Sequence, residues 1–222
     1  MSKSVKKIKL ELLIGVSGVY MTILILRLFS PLIAPRLSAF ELQALNIATI
    51  YSLAIFPLGI LLHSKEAFAD YRITMHSLPK QIITGILIGL GMGCVLSLLP
   101  MALGLKELLY TGTTYQSTEE ALPRLVYFIF VIGVVEEFIF RGFVYHKLKS
   151  ICFSDVTPIL ISSLLFGMCH FSGLNFTQVL TTSLIGVFFC VCTERNSDCT
   201  ILSLAIAHGI HDWLIRVFAS LF

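Results

Sequence analysis

Seven stretches of 18–25 residues, each dominated by apolar side chains and joined by short polar segments, leave this chain one class of fold. A helix crossing the bilayer core needs about 20 consecutive, mostly apolar residues. In hydrocarbon every backbone N–H and C=O must also be satisfied internally, which a helix does within its own segment. The stretches are residues 10–34, 42–62, 81–105, 124–148, 157–174, 176–193 and 200–222. Only Ser172-Gly173-Leu174-Asn175 separates the fifth from the sixth. The expected fold is all-α, a polytopic transmembrane helical bundle of about seven helices, with six to eight possible. Charged residues make up 13% of the chain, against roughly 25% in a soluble domain. A mean hydropathy of +0.90 excludes disorder, which requires low hydrophobicity. The basic residues lie mainly in connecting segments and form no basic face, so no nucleic-acid partner is expected.

Smaller features fit the same reading. Lys3, Lys6, Lys7 and Lys9 precede a long apolar run with no prompt small-x-small site, which reads as a retained signal anchor. Pro31, Pro35, Pro79, Pro123 and Pro158 fall at helix ends or starts, where a missing N–H is tolerated. Gly85, Gly89 and Gly93 repeat every four residues and would let two helix backbones approach closely. Cys94, Cys152, Cys169, Cys190, Cys192 and Cys199 behave as small apolar residues, because their spacing fits no strong zinc pattern. Residues 63–80 are mixed in character and read as a loop without chemistry. Counting Lys and Arg with the N-terminus inside places eleven on the inner side and five on the outer. The protein is therefore expected in a cell inner or plasma membrane with a cytoplasmic N-terminus.

Three charges then stand where they should not. Glu136, Glu137 and Arg141 fall within six positions of the fourth apolar stretch. Unpaired near mid-bilayer they would together cost on the order of 8–10 kcal/mol, comparable to the whole stability of many domains. They must face the bundle interior or a watered cavity. Glu137 and Arg141 are four apart, on one face and in the favourable acid-before-base order. Glu136 lies about 100° around the helix from Glu137. Arg141 can thus neutralise Glu137 while Glu136 keeps a free carboxylate. His170 and His208 lie at similar depth on two other helices. Phe166 precedes His170 by four and Asp212 follows His208 by four, with His211 three from His208.

At these residues the chain resembles the CAAX protease and bacteriocin-processing enzyme group, also called CPBP or Abi proteins. Glu136-Glu137-Phe138-Ile139-Phe140-Arg141 is similar to its EExxxR motif, and Phe166 to His170 to its FxxxH motif. His208 to Asp212 is similar to its third motif, a His followed four residues later by Asn or Asp. The resemblance covers about residue 122 to the C-terminus. It divides the chain into residues 1–121, N-terminal transmembrane helices and loops, and residues 122–222, a catalytic transmembrane core. It implies an intramembrane endopeptidase acting on a membrane-associated protein or peptide, with the lipid bilayer as its other partner. Carried over, Glu136 activates water, His170 helps hold it, and His208 and Asp212 stabilise the oxyanion. Glu137, Arg141 and Phe166 support the geometry.

Asp212 departs from the Asn of the best-studied members, and an ionised Asp only accepts hydrogen bonds. It is protonated, or orients His208, or ligates a metal together with Glu136, His170 and His208. No HExxH is present, so no cofactor is favoured, with zinc as the alternative. Two other function classes compete: a non-catalytic membrane partner, such as an immunity or chaperone-like factor, and a small ion-coupled transporter.

Overall fold

In the computed structural model, residues 4–106, 115, 117–171 and 176–222 are described. Among them the chain is helical without strands. The principal helices are α1 (Val5–Ile33), α2 (Ala39–Ser52), α3 (Ile55–Ser64), α4 (Leu78–Ala102), α5 (118–149), α6 (Val156–Cys169), α7 (Phe176–Arg195) and α8 (Ile201–Ala219). The expected break at residues 172–175 lies outside the described residues.

Among the described residues four segments are long and apolar enough to cross a membrane, Val5–Arg36, Leu78–Ala102, Phe176–Arg195 and Ile201–Ala219, or five if the bent pair Ala39–Ser52 and Ile55–Ser64 is one span. The helices and composition mark an integral membrane protein, but three of the seven expected spans differ from the expectation. The second, 42–62, is not one rod. It divides into α2 and α3, bent by 42°. Pro57 supplies the reason, because it has no N–H to donate back to the carbonyl of Leu53, where the bend lies. The fifth is the short apolar helix α6, whose 14 residues rise only about 21 Å at 1.5 Å each. The fourth lies within α5, where every 18-residue window holds three or more charged side chains. The cluster that marks α5 as functional is what keeps it from reading as a plain span.

α5 is continuous but irregular. Ser117 opens it by accepting from the Glu120 backbone N–H. Wider π-type turns then occupy Phe128–Gly133 and Phe138–Val144, on either side of the α-helical Val134–Glu137. Within each π turn a carbonyl is met by a hydroxyl from another helix. Tyr51 donates to Phe130 O at 2.8 Å and Ser162 to Phe140 O at 2.7 Å. Such bulges need outside partners and recur at functional sites.

Glycines set how closely the helices stand. As expected, Gly85, Gly89 and Gly93 form a close seam, here against α8. A Cβ on Gly85 would lie 2.6 Å from Ser203 O, and one on Gly89 3.0 Å from Ala207 O. The opposite side of α8 meets α5 through Gly133, 2.6 Å from Ala205 O, and Gly209, 2.6 Å from Ile129 N. α8 is thereby clamped between α4 and α5, and His208 is carried to Glu136 and Glu137.

One end of the bundle is tied by charge. Buried Lys147, on α5, donates to Glu11 of α1 at 2.6 Å and to Glu66 of the 65–77 segment at 2.8 Å. Ser64 bonds Glu11, and the Tyr71 hydroxyl bonds Glu66. Burial, with that bond, pushes the Tyr71 phenol up, so it stays a donor. Lys149 pairs with Glu194 at 2.5 Å, and Ile201 N donates to Arg72 O at 3.1 Å. The N-terminus, the 65–77 segment and the ends of α5 and α7 therefore meet at one end, as the basic-residue grouping requires. Lys147 itself is not a connecting-loop charge but the centre of a buried network. Of the expected loop over 63–80, residues 65–77 form one, with a 3-10 turn at Phe68–Tyr71, while His63 and Ser64 end α3 and Leu78–Lys80 open α4.

Candidate active site

The site lies where α5, α6, α7 and α8 converge. α5 brings Glu136, Glu137 and Arg141, while α6 ends on Phe166 and His170. α8 brings His208, His211 and Asp212 on consecutive turns.

Glu137 is the anchor. It is fully buried, and its Oε1 accepts from Arg141 Nη1 at 3.1 Å and from His208 Nδ1 at 2.7 Å. Arg141 is also buried, with its guanidinium carbon 4.1 Å from the Phe166 ring centroid and 5.2 Å from that of Phe189. Two ring faces and one carboxylate hold a cation that would otherwise be costly in this setting. Phe166 does more than stack on its neighbour. Its ring contacts His170 at 5.0 Å, His208 at 6.0 Å and Phe140 at 5.3 Å between centroids.

Hydrogen bonds fix both imidazole tautomers. A carboxylate only accepts, so His208 Nδ1 carries the proton it gives Glu137. A carbonyl likewise only accepts, and His170 Nδ1 donates to Phe166 O at 3.1 Å. Each ring then presents Nε2 to the same oxygen. Glu136 Oε2 lies 3.9 Å from His170 Nε2 and 3.8 Å from His208 Nε2. These separations exceed a direct hydrogen bond. Glu136 Oε2 is a buried atom without a hydrogen-bond partner. On the far side of His208, Asp212 Oδ2 lies 3.7 Å from Nε2. Asp212 Oδ1 lies 3.7 Å from His211 Nδ1, and His211 Nε2 meets Ser97 Oγ of α4 at 3.4 Å.

All seven residues singled out in the sequence thus gather in one place: Glu136, His170, His208, Asp212, Glu137, Arg141 and Phe166. Sequence reasoning missed that Glu137 holds His208 as well as Arg141. It also missed Phe189 and Ser97. Phe189 is one of 17 phenylalanines on an apolar chain, and Ser97 sits in an unremarkable run, so neither carries a local signal.

The donor set bears on the zinc alternative. Imidazoles whose Nδ1–H is given to oxygen while Nε2 faces a carboxylate are arranged as zinc ligands often are. Among the described residues, however, no three His, Cys, Asp or Glu side chains are gathered closely enough to hold a metal ion.

Comparison with protein families finds a match. Residues 118–214 match the family described as Type II CAAX prenyl endopeptidase Rce1-like. The matched segment runs from the first turn of α5 to Leu214 of α8 and contains every residue of the site except Ser97 on α4. Curated protein sequences give no match. Solved structures give none either.

Proposed function

We propose that this chain, whose residues 118–214 match the Rce1-like family, is an intramembrane endopeptidase in which Glu136 activates the attacking water. One observation carries the reading. Glu136 Oε2, buried and without a hydrogen-bond partner, faces Nε2 of both His170 and His208 at nearly equal distance. A water seated to the side of these atoms, rather than on the line between them, can bridge Glu136 Oε2 and His170 Nε2. It would give one proton to Glu136 and one hydrogen bond to His170 Nε2, leaving an oxygen lone pair for attack.

The water oxygen adds to the scissile carbonyl carbon, and its proton passes to Glu136. His208, when Nε2 also carries a proton, donates to the oxyanion that forms. Donors preset on developing charge supply much of an enzyme's rate. The intermediate collapses with cleavage of the C–N bond, and Glu136 returns its proton to the leaving amine. Glu137 fixes the His208 ring. Asp212, between His208 and His211, orients the imidazole rather than meeting the oxyanion itself. That use agrees with its being an acceptor. No metal enters these steps, so chelation should leave cleavage unchanged. Stoichiometric zinc whose removal stops cleavage would replace this mechanism with a metal-based one.

The substrate is a membrane-associated protein or peptide. A prenylated C-terminal CAAX segment is the first to test, given the family's description. The Lys and Arg asymmetry supports a cytoplasmic N-terminus. Comparing membrane peptides from cells carrying the wild type and Glu136→Ala tests the activity. The reading expects fragments present with the wild type and lost with the variant, at equal protein level. Identical peptide sets would favour a non-catalytic membrane partner.

A further inference from the structure

His170 is the residue on which α6 ends, with φ −90° and ψ 3°. The last turn of any helix leaves carbonyls without intrahelical donors. A histidine placed there is held only as firmly as those carbonyls are. Three are met locally. Phe166 O takes the His170 ring, Gly167 O takes the His170 N–H at 3.0 Å, and Met168 O takes the Phe171 N–H at 3.1 Å. The others are met from α1. Arg27 Nη2 donates to Cys169 O at 3.1 Å and Nη1 to Phe171 O at 3.2 Å, so one guanidinium grips the carbonyls on either side of His170. One turn below, the Tyr20 hydroxyl donates to Leu165 O at 2.6 Å.

Arg27 has no other evident reason to be where it is. Its neighbours Leu24, Ile25, Leu28 and Phe29 are exposed on the outside of a helix that spans the membrane. A cation on such a face is costly without a partner. The negative end of the α6 dipole is a favourable one. Tyr20 and Arg27 are seven apart, two turns along one face of α1, and both reach α6.

We infer that Arg27 and Tyr20 are positioning residues for His170. α1, which lies outside the segment matched by the family, thereby supplies an essential part of the site. Arg27 provides the planar fork that spans two carbonyls, and Tyr20 fixes the helix beneath them. The effect on catalysis rests on the reading of His170 given above, while the effect on the position of His170 does not.

The test uses the full chain in liposomes with R27A, R27K and Y20F. Cleavage of a farnesylated CAAX reporter peptide is measured beside amide hydrogen exchange of residues 165–171 and of α8. R27A is expected to lower kcat about 10- to 100-fold with KM little changed, the scale of an ångström-sized displacement of a catalytic group. Exchange at His170 and Phe171 should quicken while α8 stays protected. R27K should recover part of the loss, since an ammonium donates to carbonyls but lacks the fork. Y20F should show a smaller loss of the same kind and carries the test if R27A does not insert. Wild-type kcat and exchange in R27A would overturn the inference. So would exchange that quickens equally in α6 and α8, which marks general loosening. If E136Q cleaves as well as the wild type, or the wild type leaves the reporter intact, the proposed reaction fails for that peptide. Exchange at His170 and Phe171 still decides the positioning role in that event.

Discussion

Glu136 and Glu137 are neighbours in sequence with opposite environments. Glu137 Oε1 serves both a buried guanidinium and an imidazole, whereas Glu136 Oε2 serves nothing. Substituting them should therefore separate stability from chemistry. Glu137→Ala leaves the Arg141 charge buried without its carboxylate and should destabilise the fold by about 3–5 kcal/mol. Glu136→Gln breaks no hydrogen bond within the site and should shift stability by less than about 1 kcal/mol, while abolishing cleavage. Denaturation in detergent, run beside a cleavage assay, checks both. A large stability loss in Glu136→Gln would mean that this carboxylate is structural. The contrast was legible in the sequence, because four-residue spacing pairs Glu137 with Arg141 and the 100° step turns Glu136 away. The bond from His208 to Glu137 was not, because it depends on how two helices are set against each other.

At the scale of helices, that setting comes from glycine. Gly209 has the backbone of Ile129 directly over its α-carbon. Gly209→Val should push α8 from α5, separate His208 from Glu136 and lower kcat on the order of 100-fold. Wild-type kcat in this variant would show that the α5–α8 seam does not set the site. The π turns make a milder test. Ser162→Ala removes the donor to Phe140 O and should cost about 1–3 kcal/mol of stability, the penalty for a buried carbonyl left unmet. The Gly85-Gly89-Gly93 seam could be read in advance from its period. The Gly133–Gly209 seam could not, since these glycines stand singly on two distant segments. Nor could the π turns, because no side-chain pattern distinguishes a π from an α turn. The break between α2 and α3 had a sign in Pro57, which an otherwise continuous apolar run concealed.

For the whole molecule, the polar ends matter as much as the apolar seams. Lys147 joins α1, the 65–77 segment and α5 in one buried network at the end of the bundle away from His170. Lys147→Met would leave Glu11 and Glu66 facing each other and should destabilise the protein by about 3–5 kcal/mol. The kcat of the folded fraction should be unchanged, and a fall in that kcat would extend the catalytic machinery to this network. Hydropathy foretold the helical class but overcounted the plain spans, because α6 is short and α5 is charged. It also gave no sign that residues 1–121 and residues 122–222 share packing. Val19, Leu53 and Leu61 pack in the same cluster as Val135, Phe143 and Phe166.

The central claim is that Glu136 works as a base while Glu137 holds the site together. The most direct measurement places purified wild type and Glu136→Gln in liposomes with a membrane-anchored peptide and follows the release of a new C-terminus by mass spectrometry. Cleavage by the wild type alone, with both proteins showing the same amide exchange in α5 and α8, is the predicted result. Cleavage by Glu136→Gln at the wild-type rate would contradict it.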